Sequence, residues 1–185
     1  QAAFETSSAI AQAELLVGND VLDARARVGG AIVATVLNGQ GGNDTIYGGK
    51  AADMLDGGTG NDKIYAGGGN DRVFASVSYQ LSAGSEVETL STDNNAGTAP
   101  INLTGNELDQ TVVGNSGANV IDGKSGNDTL TGGGGADKFA FTTDFTANID
   151  RITDFNVRDD TITLDGAVFT GLALGTLASG AFAKG

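Results

Sequence analysis

Gly39-Gln-Gly-Gly-Asn-Asp44-Thr-Ile46-Tyr, Gly48-Gly-Lys-Ala-Ala-Asp53-Met-Leu55-Asp, Gly57-Gly-Thr-Gly-Asn-Asp62-Lys-Ile64-Tyr and Ala66-Gly-Gly-Gly-Asn-Asp71-Arg-Val73-Phe follow one another without interruption. Their aspartates recur every nine residues, and so do the apolar residues two places after each. Glycine fills most of the first four positions. A fixed period carrying turn residues, a carboxylate and one apolar residue defines a repeat architecture rather than a flexible tract. A second block, Gly105 to Ala140, keeps the period: position six reads Gln110, Asn119, Asp128 and Asp137, and position eight reads Val112, Ile121, Leu130 and Phe139.

Composition narrows the function. Of 185 residues, 30 are glycine, a load typical of linkers, but linkers carry no apolar residue at a fixed period. The formal charge is −13 with no histidine, which excludes a basic nucleic-acid-binding surface and favours a cationic partner, most economically a metal ion. Without cysteine there is neither a disulfide framework nor a thiolate site. The usual catalytic bases and nucleophiles are missing too, so no catalytic residue and no enzyme active site is expected. No apolar run approaches the roughly 18 residues of a membrane span. The first residues do not read as a signal peptide, and a start without methionine reads as a fragment or processed boundary.

The nine-residue unit resembles the haemolysin-type calcium-binding (RTX) nonapeptide, Gly-Gly-x-Gly-x-Asp-x-U-x with U apolar. The resemblance implies an all-β fold, a right-handed parallel β-roll (β-solenoid) with several calcium ions between stacked turns. Two nonapeptides make one coil of such a roll, so Asp44 lies over Asp62 and Asp53 over Asp71. At the spacing of adjacent strands, about 4.8 Å, two carboxylates repel by about 3 kcal/mol at an effective dielectric of 20. An ion between them reverses the sign. Calcium takes 6–8 oxygen ligands at about 2.3–2.6 Å and suits a slot of carboxylates and turn carbonyls.

By the same resemblance each site draws a carboxylate and backbone carbonyls from two turns. The strongest expected site joins Gly39, Gly41 and Asp44 to Gly58, Gly60 and Asp62. A second joins Gly48, Lys50 and Asp53 to Gly67, Gly69 and Asp71, weakened by Ala51 where the family prefers glycine. In the second block Gly114, Ser116 and Asn119 face Gly133, Gly135 and Asp137, and the turn of Gln110 faces Gly126 and Asp128. With the charge lost at Gln110 and Asn119, these sites are expected to be weak or partial. Asp150 and Asp154 complete a site at the capped end.

Around the blocks the expected organisation is an N-terminal cap with degenerate first rungs (1–38), the first block (39–74), metal-poor bridging rungs (75–104), the second block (105–140) and a C-terminal cap (141–185). A serine-capped, alanine-rich run predicts one short helix within residues 1–16. Asp20 and Leu22 form a degenerate repeat, and Ala31 to Leu37 reads as a strand whose Thr35 and Leu37 keep the register. Val77, Tyr79 and Leu81 alternate like a strand, continued by Val87, Leu90, Ile101 and Leu103. Val73 and Leu103 are 30 residues apart, three beyond a multiple of nine, which predicts a longer loop near Asp93 to Pro100 in one continuous roll. Ile149–Phe155 and Asp159–Asp165 read as two short strands joined by a turn and resemble the C-terminal cap of secreted serralysin-like metalloproteases, with Phe169, Leu172, Leu177 and Phe182 covering the last rung.

The expected function is a non-catalytic calcium-binding module of a secreted, extracellular bacterial protein. It folds on calcium outside the cell and supports type I secretion, with a catalytic or adhesive domain N-terminal to it in the full-length protein. The alternative is a calcium-dependent adhesin or polysaccharide-binding module, for which Tyr47, Lys63, Tyr65 and Arg72 are candidate outward residues.

Overall fold

The computed structural model describes residues 18–25, 33–144 and 149–170, and every regular element among them is a strand. In each nonapeptide, glycines and polar residues make a turn and the last residues make a strand of three to five, too short to be stable unless stacked. The fifteen strands are β1 (Val21–Asp23), β2 (Val36–Asn38), β3 (Thr45–Gly49), β4 (Met54–Asp56), β5 (Lys63–Gly67), β6 (Arg72–Ala75), β7 (Tyr79–Gln80), β8 (Thr89–Thr92), β9 (Leu103–Thr104), β10 (Thr111–Val113), β11 (Val120–Asp122), β12 (Thr129–Thr131), β13 (Lys138–Phe141), β14 (Arg151–Ile152) and β15 (Thr161–Leu164).

All pairings are parallel, and consecutive strands go to opposite faces, so the chain winds as a β-solenoid. One face is a single seven-stranded sheet, β2-β4-β6-β8-β10-β12-β14. It runs through both repeat blocks and the bridge without interruption. The opposite face consists of β1-β3-β5 and β7-β9-β11-β13-β15. The register is the expected two nonapeptides per coil: Ile46 pairs with Ile64, Leu55 with Val73, Val112 with Leu130 and Ile121 with Phe139. These eight side chains point inward at 2% exposure or less and form a file between the sheets, continued through Leu90 and Leu103. Burial of that file is the apolar driving force of the stack.

The bridge departs from the expected spacing in an instructive way. Val73, Tyr79, Leu90 and Leu103 follow one another at six, eleven and thirteen residues instead of nine, while Leu90 still stacks on Val73 and Leu103 on Tyr79. The chain therefore first takes a short cut and then overshoots, the largest excess falling between Leu90 and Leu103, where a long loop was expected. The short cut leaves β5 and β7 without a pairing to each other, each being an edge of its own sheet. There the Tyr79 hydroxyl bonds the Ile64 backbone, and burial pushes its pKa up to about 12.

Other expectations need adjustment. Of the run Ala31 to Leu37, only Val36 and Leu37 are in a strand, with Leu37 in the expected register on Leu55; residues 31–32 lie outside the described part. Asp20 and Leu22 do form a rung, Leu22 pairing with Ile46. The two tail strands are not partners of each other: β14 extends the seven-stranded sheet and β15 the opposite one, each as one more rung. The helix expected within 1–16, and Leu172, Leu177 and Phe182, lie outside the described residues.

Candidate metal centre

Each position-six carboxylate sits at the end of its turn with its two oxygens in different circumstances. Oδ1 accepts the backbone N–H of the position-six residue one coil earlier: Asp44 N to Asp62 at 2.8 Å, Asp53 N to Asp71 at 2.8 Å, Gln110 N to Asp128 at 2.7 Å and Asn119 N to Asp137 at 2.8 Å. The same ladder reaches Asp20 N to Asp44 and Thr35 N and Oγ1 to Asp53 at one end, and Asp128 N to Asp150 and Asp137 N to Asp160 at the other. The other oxygen, Oδ2, is buried without any hydrogen-bond partner in Asp20, Asp44, Asp53, Asp71, Asp128 and Asp137. An unpaired buried carboxylate oxygen is among the costliest groups a protein can hold.

These oxygens face the next turn of the stack. A Cβ placed on Gly39 would lie 2.2 Å from Asp44 Oδ2 and 2.8 Å from the Gly57 carbonyl oxygen, and on Gly48 it would lie 2.8 Å from Asp53 Oδ2 and 2.2 Å from the Ala66 oxygen. A carboxylate of one turn thus converges with a carbonyl of the following one, oxygen against oxygen. Position four adds another carbonyl: the Gly42 oxygen points at Gly60, where a Cβ would stand only 1.5 Å away, and no described hydrogen bond reaches it. Gly60, at φ +134°, could not be replaced by a residue with a side chain without losing this approach.

Among the described residues no three acidic side chains group closely enough to hold a metal by carboxylates alone. Any ion must take backbone oxygens as well, which is the donor set present: orphaned carboxylate plus carbonyls, all hard oxygen and no nitrogen or sulfur. That set fits calcium, which takes 6–8 such ligands, and suits softer metals poorly.

The expected site residues divide into those the fold brings together and those it does not. Asp44 with Asp62 and Asp53 with Asp71 stack, with Gly39, Gly41, Gly48, Gly58, Gly60, Gly67 and Gly69 in the turns between them. Lys50 sits at the exposed surface of its turn. In the second block Asn119 stacks on Asp137 and Gln110 on Asp128, with Gly126, Gly133 and Gly135 at positive φ. Yet the orphaned oxygens of Asp128 and Asp137 lie beside their own Gly123 and Gly132, at 2.2 and 2.3 Å from a Cβ there, the side from which Gly39 and Gly48 meet the following turn. Asp128 N and Asp137 N in turn donate to Asp150 and Asp160 of the following turns. Asp154 uses both oxygens on Gly132 N and Gly133 N, closing the last turn by hydrogen bonds.

The rungs of Gln110 and Asn119 are built differently. Position two of their turns is Asn106 and Asn115, both buried. Asn106 Nδ2 donates to the carbonyls of Ser82 and Ser85, Asn115 Nδ2 to Ala99, and Asn119 Nδ2 to Ile101 at 2.7 Å. Gln110 Nε2 closes on Asn106 Oδ1, and Asn119 Oδ1 accepts Asn115 N. No side-chain atom of these four amides is left unpaired. Ser116, on the same turn as Asn115, is exposed and bonds Gly97 O and Asn95 O through its N–H and hydroxyl.

Electrostatics agree with an anionic stack awaiting cations. Burial pushes the Asp128 carboxyl up to about 7, with the charges of Asp150, Asp109 and Asp122 adding to it and the Gln110 N–H opposing. Burial likewise raises Asp62, Asp71, Asp137 and Asp150. Arg25 pairs with Asp23 and Lys124 with Asp122, and neither pair involves a position-six acid.

Sequence reading missed Glu88, Asp160 and the two position-two asparagines. Glu88 precedes Leu90 by two, and Asp160 precedes Ile162 by two, as every ladder acid precedes its core residue. That signal was available, but broken spacing hid it.

Stacked turns of this kind define a class: parallel β-rolls whose coils are joined by metal ions held through a carboxylate and main-chain oxygens. Four copies of the RTX calcium-binding nonapeptide repeat match the sequence, over residues 34–62, 49–76 and 104–139. The chain carries RTX nonapeptide repeats, a repeat family that binds calcium ions. No curated protein and no solved structure matches it.

Proposed function

We propose that this chain is a non-catalytic calcium-binding module of a secreted bacterial protein, whose folding is completed by calcium outside the cell. The observation that carries the reading is the set of six buried aspartate oxygens with no partner. Each is a cost that only a cation or a proton removes, so the acidic rungs are unfavourable without calcium and become cross-links with it. Extracellular calcium modules have dissociation constants of about 10⁻⁴–10⁻³ M. Such a roll stays open at cytosolic calcium and closes at external calcium, which suits passage through a type I secretion channel as an unfolded chain. A catalytic or adhesive partner domain N-terminal to it, and the serralysin-like character of the tail, are part of the same proposal.

Circular dichroism in millimolar calcium and in EGTA tests it. A β-sheet signal should develop with calcium; an identical β spectrum in EGTA would overturn the reading. The adhesin alternative draws on one feature, the outer face of β1-β3-β5, where Tyr47 and Tyr65 stack at 5.0 Å and Arg25 lies 3.6 Å over the Tyr47 ring. There Tyr47 stacks on Tyr65 and lies under Arg25, which covers surface that a sugar ring would use. Binding to a glycan array by the calcium-loaded chain would favour it nonetheless.

A further inference from the structure

We propose a further calcium site at the end of the first repeat block, between its last turn, Ala66–Asp71, and the turn Ser82–Glu88 in the stretch that sequence spacing marks as metal-poor. The inference rests on the calcium reading above and extends it to a turn that carries no nonapeptide. Strand β8 stacks directly on β6, Val73 against Leu90, which sets the 82–88 turn on the 66–71 turn. Glu88 then takes the ladder place of an aspartate: its Oε2 accepts Asp71 N at 2.6 Å, the bond that Asp71 itself makes to Asp53 N.

Two buried groups at this junction have no partner. Asp71 is fully buried, its Oδ1 is spent on the preceding rung, and its Oδ2 is left unpaired. In the rungs of Asp44 and Asp53 that oxygen faces the following turn; for Asp71 the following turn is 82–88. On that turn the Ser85 hydroxyl is also buried and unpaired. Glu86 lies over the same place, its Oε2 3.9 Å from where a Cβ on Gly68 would stand. Gly67, Gly68, Ser85 and Glu86 line an open groove of about 800 Å³ beside the junction. Lys50 and Arg25 line it too, but among the described residues no cation pairs with Asp71, Glu86 or Glu88.

The other side of the 82–88 turn is already fastened. Asn106 Nδ2 holds the Ser82 and Ser85 carbonyls, and Glu107 Oε1 accepts Gly84 N at 2.6 Å. The acids of the turn are therefore left for the rung before it. Asp71, Glu88 and the Ser85 hydroxyl supply hard oxygen ligands, with Glu86 adding charge nearby, a donor set for a calcium ion rather than a softer metal. This site would be the last of the first calcium ladder and join it to the amide-held rungs that follow.

Equilibrium dialysis against calcium, with circular dichroism on the same samples, tests the proposal. Glu88→Gln keeps an acceptor for Asp71 N while removing the charge. The variant should keep the calcium-dependent β signal and bind one calcium ion fewer than the unmodified chain; an unchanged number bound at unchanged affinity overturns the site. Should Glu88→Gln fail to fold, Ser85→Ala decides. Removing an unpaired buried hydroxyl stabilises a site without a ligand, whereas removing a ligand weakens binding at least several-fold. Unchanged or tighter calcium binding by Ser85→Ala overturns the proposal. Failure of the calcium reading itself is distinguishable, because then the unmodified chain binds no calcium.

Discussion

The rungs of Asp44 and Asp62 and the rungs of Gln110 and Asn119 face the same problem and meet it with different atoms. Tight parallel coiling turns main-chain carbonyls toward one another at every turn, and something electropositive must lie among them. At Asp44 the structure offers more oxygen, an unpaired carboxylate beside the Gly57 carbonyl, and the balance is left to a metal ion. At Asn119 the positive end is a side-chain N–H, delivered to Ile101 O, with Asn115 serving Ala99 O. Backbone geometry follows the choice. Most turns of the first kind carry positive φ at positions two and four, as at Gly58 and Gly60 or Gly67 and Gly69, whereas the turn of Asp53 and the turns of Asn106 and Asn115 carry none. One part of the roll thus leaves carboxylate oxygens unpaired and the other supplies its own donors.

The largest effect expected from that contrast comes from emptying an acidic rung. Asp44→Ala with Asp62→Ala removes the orphaned carboxylate and the acceptor of Asp44 N together. Hydrogen bonds to charged groups are worth about 1.5–3 kcal/mol, and loss of about 3 kcal/mol is roughly a hundredfold in affinity. The calcium midpoint for folding, followed by circular dichroism, should rise by that order. An unmoved midpoint would mean that the acidic rungs are not where calcium acts.

How much of this was legible beforehand follows from the same contrast. Period, register and the inward file of Ile46, Leu55, Ile64 and Val73 are local properties, repeated often enough for the sequence to display them. The acidic pairs were legible because Asp44 and Asp62 lie one coil apart. The amide rungs were half legible: loss of charge at Gln110 and Asn119 read as a weakened metal site, while the donors that join theirs, Asn106 and Asn115, stand at position two, where glycine was read only as turn chemistry. Glu88 was hidden for a different reason. The bridge steps by six, eleven and thirteen residues, so a ladder acid there falls out of the nine-residue frame although it stacks in space. Asp154, acidic and near the end, accepts Gly132 N and Gly133 N, one on each oxygen.

A smaller effect, but one that changes sign with conditions, is expected on converting one kind of rung to the other. In Asn119→Asp the acceptor for Asn115 N survives, while the donor to Ile101 O becomes an oxygen facing an oxygen. Without calcium the variant should be less stable than the parent by about 1–3 kcal/mol, the cost of an unsatisfied buried group. With millimolar calcium, part or all of that loss should return, since the new carboxylate offers a site. Urea unfolding in calcium and in EGTA separates the two. Equal destabilisation in both conditions would show that an amide rung cannot be made metal-dependent by charge alone.

The smallest and most diffuse effect concerns protons, which are the other cation available to the acidic rungs. The Asp128 carboxyl is raised to about 7, and those of Asp62, Asp71, Asp137 and Asp150 are raised as well, burial being the first cause in each case. A group whose pKa is higher folded than unfolded favours the folded chain while protonated. Its contribution is complete below the unfolded value near 4 and is lost as pH rises through the folded value, for Asp128 about 7. In EGTA the roll should therefore gain stability on going from pH 7.5 to pH 5, opposite in direction to a protein held by carboxylate ion pairs. Asp62 and Asp150 are partly open to solvent, and screening keeps their share of the gain modest. Calcium must displace the same protons, so the calcium midpoint should rise over the same interval. The amide side chains have nothing to titrate, and Asn115, whose N–H donates to Asn119 Oδ1, should show amide-hydrogen protection that is unchanged between the two pH values once intrinsic exchange is corrected. A pH-dependent loss of protection there would couple the two kinds of rung more tightly than their separate hydrogen bonding requires.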